Sequence, residues 1–182
     1  MSIDASYAAR VTVLLFGANP GLTLAGGGRT VAFASAWRVD WSVRGPGTAL
    51  VLWHDGRVRV LTEAPELGRW LAEAFVRHFP EVEGLPWPEP EVSLAAVRLE
   101  LDHAAGLRAS AGDVELEITG AGPPRAITVE RFPGNGLRLS NVYIPCRTGR
   151  LRLGGAEVAA ASADAFLADA EVWSDTSLSR AG

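Results

Sequence analysis

The chain of 182 residues has no lysine and no glutamine, and all seventeen of its basic side chains are arginine. Without lysine, Schiff-base chemistry, a Walker-type phosphate lysine and a pyridoxal phosphate anchor are excluded. Its one cysteine, Cys146, cannot close an intramolecular disulfide, which fits a reducing, cytoplasmic setting. The three histidines are scattered, with no His-x-His, no second Cys and no Asp cluster at ligand spacing, so no metal site is expected. No Gly-x-Ser-x-Gly elbow occurs. The glycine clusters at 17–21 and 26–28 match no phosphate-loop spacing, and the second leads into a strand rather than a helix. No cofactor is implied. Met1–Tyr7 has no charged segment followed by a long apolar run, and nothing approaches a membrane span, so neither a leader nor a membrane is expected.

Six tryptophans and 48% hydrophobic residues are present instead, ample apolar surface for one folded domain over residues 1–182. A net charge of −4 makes nucleic acid an unsuitable partner.

Alternation of period two dominates. From Thr30 to Arg44 one face reads Val31, Phe33, Ser35, Trp37, Val39, Trp41 and Val43, an apolar inner face with two tryptophans. Val97 to Ala109 alternates in the same way, placing His103 on an inner face with Leu99 and Leu101. A loop at Ala111-Gly112 would pair Ala109 with Val114 and set Arg108 against Glu115. Asp55-Gly56 is a type I′ turn signal, so His54–Asp55 reads as a hairpin tip and not as a reactive pair. Further strands are predicted at Val11–Phe16, Ala126–Phe132, Leu137–Ile144 and Arg150–Leu153, with Gly134-Asn135-Gly136 and Thr148-Gly149 as turns. An amphipathic helix is predicted from about Pro65 to Phe79, and a proline-rich connector follows over Leu85–Pro90. Ala156–Ala170 reads as a short irregular or helical piece running into a last strand that ends at Trp173.

Together these patterns predict a mainly β fold, a single-domain antiparallel β-barrel of eight to ten strands with the helix packed outside. The nearest familiar shape is the lipocalin barrel, in architecture only: its Gly-x-Trp signature is here Ser35-Ala36-Trp37, and the helix lies mid-chain.

The residues that suit an aromatic-walled pocket are Trp37 and Trp41 as ligand-binding walls and His103, Asn141 and Tyr143 as groups able to polarise a carbonyl. His103 also reads as a hydrogen-bonded core residue, and Cys146 as a small buried apolar one. Arg147, Arg150 and Arg152 read as a solvated face. The function expected is binding of a small lipophilic molecule, extending to a cofactor-free cyclase or isomerase of secondary metabolism. The alternatives are a simple lipophilic carrier and a non-catalytic interaction or homo-oligomerisation module presenting tryptophans such as Trp87 and Trp173.

Overall fold

The computed structural model describes residues 11–175, so the leader-free reading of Met1–Tyr7 lies outside the described residues. Its strands are β1 (Val11–Ala18), β2 (Gly21–Gly26), β3 (Arg29–Ser42), β4 (Gly47–His54), β5 (Arg57–Thr62), β6 (Glu91–Leu94), β7 (Arg98–Asp102), β8 (Gly106–Ala111), β9 (Val114–Ala121), β10 (Arg125–Val129), β11 (Arg138–Leu153), β12 (Ala156–Glu157) and β13 (Ser162–Asp175). One helix, α1 (Pro65–Ala74), lies between β5 and β6. No helix is long and apolar enough to cross a membrane among the described residues.

All the strands join one mainly antiparallel sheet, whose main path runs β6-β5-β4-β3-β1-β13-β11-β9-β8-β7. Breaks raise the strand count above the eight to ten expected. β1 and β2 share the gap between β3 and β13 and are separated at Asn19-Pro20, where proline has no N–H to give a ladder. β9 and β10 lie along the same side of β11, parted by Gly122-Pro123-Pro124. Only β5 and β6 run parallel, because α1 carries the chain back before β6 begins.

Both faces of the central strands are buried. On one, Ala32, Ala34 and Ala36 of β3 join Leu22, Leu50 and Leu52 and meet Leu107, Leu116, Ile118, Leu151 and Leu167 from the other half of the sheet. Alanine is small enough for the two halves to approach closely, and this interior is filled by side chains at 0–5% exposure. On the opposite face Phe33, Trp37, Val39, Val51 and Trp53 lie under Leu67, Leu71, Phe75, Val76 and Phe79 of the helical segment. Of the predicted inner face of β3, Phe33, Ser35, Trp37 and Val39 are buried, but beneath the helix and outside the curl of the sheet, whereas Trp41 and Val43 are exposed. Alternation reports that a face is covered and not by what.

Local turn chemistry explains the other departures. The Asp55-Gly56 hairpin has the expected register, His54 with Arg57 and Val51 with Val60, on φ of 50° and 73°. The next one slips: the loop is Gly112-Asp113, giving Ala109↔Leu116 and Arg108↔Glu117 in place of Ala109 with Val114. A two-residue turn with one left-handed residue wants glycine first, and Gly112 has φ 56°. The slip is even, so the side chains that remain in the ladder keep their predicted faces. Val97–Ala109 is cut by a turn at 103–105, where Asp102 Oδ1 accepts from the Ala104 and Ala105 amides at 2.7 and 2.9 Å. Gly106 makes the turn possible: its φ is 131°, and a Cβ there would lie 2.0 Å from the Ile118 carbonyl oxygen.

The expected turn at Thr148-Gly149 lies inside β11, where Arg150 and Arg152 face Glu117 and Glu115. The Ala-rich segment is not helical: from Ser162 it is strand, paired to β11 on one side and to β2 and β1 on the other. Those ladders outweigh alanine's helix propensity. The helix itself ends at Ala74 and gives way to 3-10 turns at Val76–His78 and Pro80–Val82.

Substituting Gly106→Ala is expected to destabilise the protein by about 3 kcal/mol, since both sterics and φ oppose it. Arg108→Ala removes only an exposed pair with Glu117 and should cost less than about 1 kcal/mol. Urea unfolding of the two variants checks the contrast, and equal losses would contradict it.

Candidate functional site

The helix-covered face of the sheet carries the polar residues. On β13 it presents Phe166, Ala168, Ala170 and Val172, and on β11 Leu139, Asn141 and Tyr143 in register with the last three. The break before β2 takes Asn19 out of the regular ladder, its amide donating to the Ala168 carbonyl at 2.8 Å. Its side chain lines a small cavity with Trp37, beneath Phe75, Phe79 and Phe132 and beside Leu137, Leu139, Ala170 and Val172. The rings interlock: Trp37 lies 6.1 Å from Phe75 and 6.2 Å from Phe79, and Phe79 meets Phe132 edge-on at 6.0 Å. The space left is about 10 Å³ for the centre of a water, room for a single molecule.

Trp37 Nε1 and Asn19 Oδ1 have no hydrogen-bond partner among the described residues, although the two residues are 2% and 5% exposed. Six buried side-chain polar atoms lack a partner among the described residues. Five of them belong to Asn19, Thr23, Ser35, Trp37 and Asn141, all on this one face. Each unmade bond costs about 1–3 kcal/mol, so their concentration calls for a reason.

Residues 130–137 form the cover. Phe132, 7% exposed, is held by its amide donating to the Leu137 carbonyl and its carbonyl accepting from Gly136. Asn135 Nδ2 donates to the Ala74 carbonyl at the end of α1, satisfying one of the helix's orphan acceptors. Asn135 Oδ1 accepts from the Leu137 amide, closing the strap on itself. Gly134 leaves room for His78, whose ring would lie 2.1 Å from a Cβ at that position. In sequence, Gly134-Asn135-Gly136 reads only as punctuation, and Phe132 as a strand end. A large apolar residue just before such a turn is the signal that marks the strap.

Tyr143 is half-buried and stacked on Phe166 at 5.1 Å. Burial raises its pKa, and the nearby Asp164 and Glu81 carboxylates add to the rise. Glu81 is held above the ordinary carboxylate range, first by burial and then by Asp164.

The structure thus places Trp37, Asn141 and Tyr143 on one face, and Trp41 and His103 on the other. A bulge between Phe16 and Gly17 sets Trp41 opposite Phe16, and the two rings stack at 6.2 Å with Trp41 43% exposed. His103 is not on an inner face: it sits in the turn after β7, and its Nε2 lies 2.8 Å from Asp169 Oδ2. An open cleft of about 470 Å³ lies on that side, bordered by Phe16, Arg38, Asp40, Asp169 and Glu171. Cys146 is half-buried against the filled interior, and burial raises its thiol pKa. Of the tryptophans expected at the surface, Trp87 packs against the helix-side core beside the Trp53 Nε1 bond to the Pro86 carbonyl, and Trp173 lies under Arg138. No group of three metal-ligating side chains occurs among the described residues.

No family model matches the chain, and no curated protein matches it. A solved structure from Nitrosomonas europaea, provisionally described as AttH, is similar over 99% of this chain at 10% identity and a TM-score of 0.40. The chain spans 57% of that protein's length, and a likeness of this degree decides nothing about the site.

Phe132→Ala should lower stability by about 3–5 kcal/mol, as expected for emptying a ring's space in a core. Because the folded chain holds the Glu81 proton more tightly than the unfolded chain does, the stability it contributes is complete at low pH. That contribution is lost as pH rises through the raised pKa. Glu81→Gln should therefore show a higher urea midpoint than the parent near pH 7 and the same midpoint near pH 3. A lower midpoint at pH 7 would reverse the sign.

Proposed function

We propose that the protein binds a small lipophilic molecule between the helix-covered face of its sheet and the strap at 130–137, and acts on it as a cofactor-free cyclase or isomerase of the cytoplasm. The observation that supports this reading is the pair of unpartnered buried polar atoms, Trp37 Nε1 and Asn19 Oδ1, on residues that line one aromatic enclosure. In this reading the curled sheet is a barrel, closed where Arg59 of β5 pairs with Asp113 at the β8–β9 turn, and its filled interior serves as scaffold. The working space is outside it, gained when Phe132 swings away.

Trp37 then stacks on the molecule and offers its N–H, while Asn141 and Tyr143 orient or polarise a carbonyl. A raised pKa keeps Glu81 protonated further into the pH range and suits it to donate a proton, while Tyr143 stays neutral and offers a hydrogen bond. Trp41 and His103 take no part. The rival reading, association with another protein or with a second copy, draws on the exposed Phe16–Trp41 stack and Val142, which is 46% exposed.

Native and then denaturing mass spectrometry of the purified protein should release a lipophilic compound bound one to one. Trp37→Leu or Asn141→Leu should reduce its retention at least tenfold, and Trp41→Ala should leave it unchanged. Retention governed by Trp41, or a dimer abolished by Trp41→Ala with no bound compound, would transfer the function to the opposite face.

A further inference from the structure

We infer that the molecule taken by this site is a small ring whose polar edge both donates and accepts a hydrogen bond, docked between Trp37 and Asn19 in the place of the Phe132 ring. The inference rests on the reading of this enclosure as a ligand site and adds what the ligand must carry.

Indole Nε1 can only donate, and an amide Oδ1 can only accept. Both atoms are buried on residues that line one cavity, and neither has a partner among the described residues. A hydrocarbon leaves both unpaired. A simple ketone answers Trp37 and leaves Asn19 unpaired, whereas a ring hydroxyl or a cyclic amide answers both. Discrimination follows because a site built around buried polar atoms rejects molecules that leave one of them bare.

The size of the ligand follows from the cover. As it stands the cavity accepts one water, so any organic ligand needs further room. Phe132 closes the enclosure, and its strap is tied to the helix by the single Asn135 bond to the Ala74 carbonyl in addition to packing. Displacing the side chain releases the space of one six-membered ring, still walled by Phe75 and Phe79.

The test uses the full chain and its Phe132→Ala variant, with Phe132→Leu as the milder opening should alanine unfold the protein. Cyclohexane, cyclohexanone, cyclohexanol and 2-piperidone are titrated while the Trp37 indole N–H resonance is followed, assigned by its loss in Trp37→Phe. Cyclohexanol or 2-piperidone should move that resonance, and Asn19→Leu should weaken its binding at least tenfold relative to cyclohexanone. Which of the two responds tells a ring alcohol from a cyclic amide. If Asn19→Leu changes all the ring compounds alike, or leaves them all unchanged, the inference is wrong and the enclosure remains a lipophilic site. If none moves the Trp37 resonance even in the opened variants, the enclosure is not a ligand site and both readings fall.

Discussion

Burial of β3 on both faces is the constraint that organises this protein. One face is nearly all alanine and the other is aromatic, and each dictates a different kind of cover. Ala32, Ala34 and Ala36 leave so little bulk that the sheet can fold back until Leu107 and Leu116 reach the opposite wall. Phe33 and Trp37 expose too much apolar surface to remain wet, so α1 and its 3-10 extension are drawn over them. Curl and cover are two consequences of one strand.

The aromatic side is where order and unmet bonding coexist. A sheet filled on its inside offers a rigid platform, and strand breaks at Asn19-Pro20 and at Gly122-Pro123-Pro124 interrupt its ladders on the platform's two flanks. Asn19 is thereby freed from strict alternation and lines one cavity with Trp37. Natural folds tolerate unmade buried bonds chiefly where they serve something other than stability. The strap meets that requirement in physical terms: Phe132 is bulky enough to seal the site, yet its segment is held mainly by its own backbone and by one helix end.

The opposite face follows different rules. Its exposed charges pair within β3, Arg38 with Asp40, and between distant elements, His103 with Asp169 and Arg59 with Asp113. Exposed pairs of this kind fix register and solubility more than stability. The stacked Phe16 and Trp41 stand at its solvent end because a bulge, which no alternation pattern encodes, turned Trp41 out of the row that holds Trp37.

What the sequence by itself determined was local: the alternation of β3 from Phe33 to Val39, the Asp55-Gly56 hairpin with its register, the amphipathic helix and the shared face of Asn141 and Tyr143. These rest on side-chain periodicity and turn chemistry, which act within a few residues. The turn at 103–105 was local too, but alternation through Ala104 and Ala105 concealed it, because alanine suits a turn and an inner face equally. Tertiary structure alone decided which buried face looks inward, that the Ala-rich segment becomes a strand, and that Trp37, Asn19 and Phe132 meet. Those outcomes depend on which distant surfaces meet, and a hydrophobic face specifies that it must be covered without specifying by what.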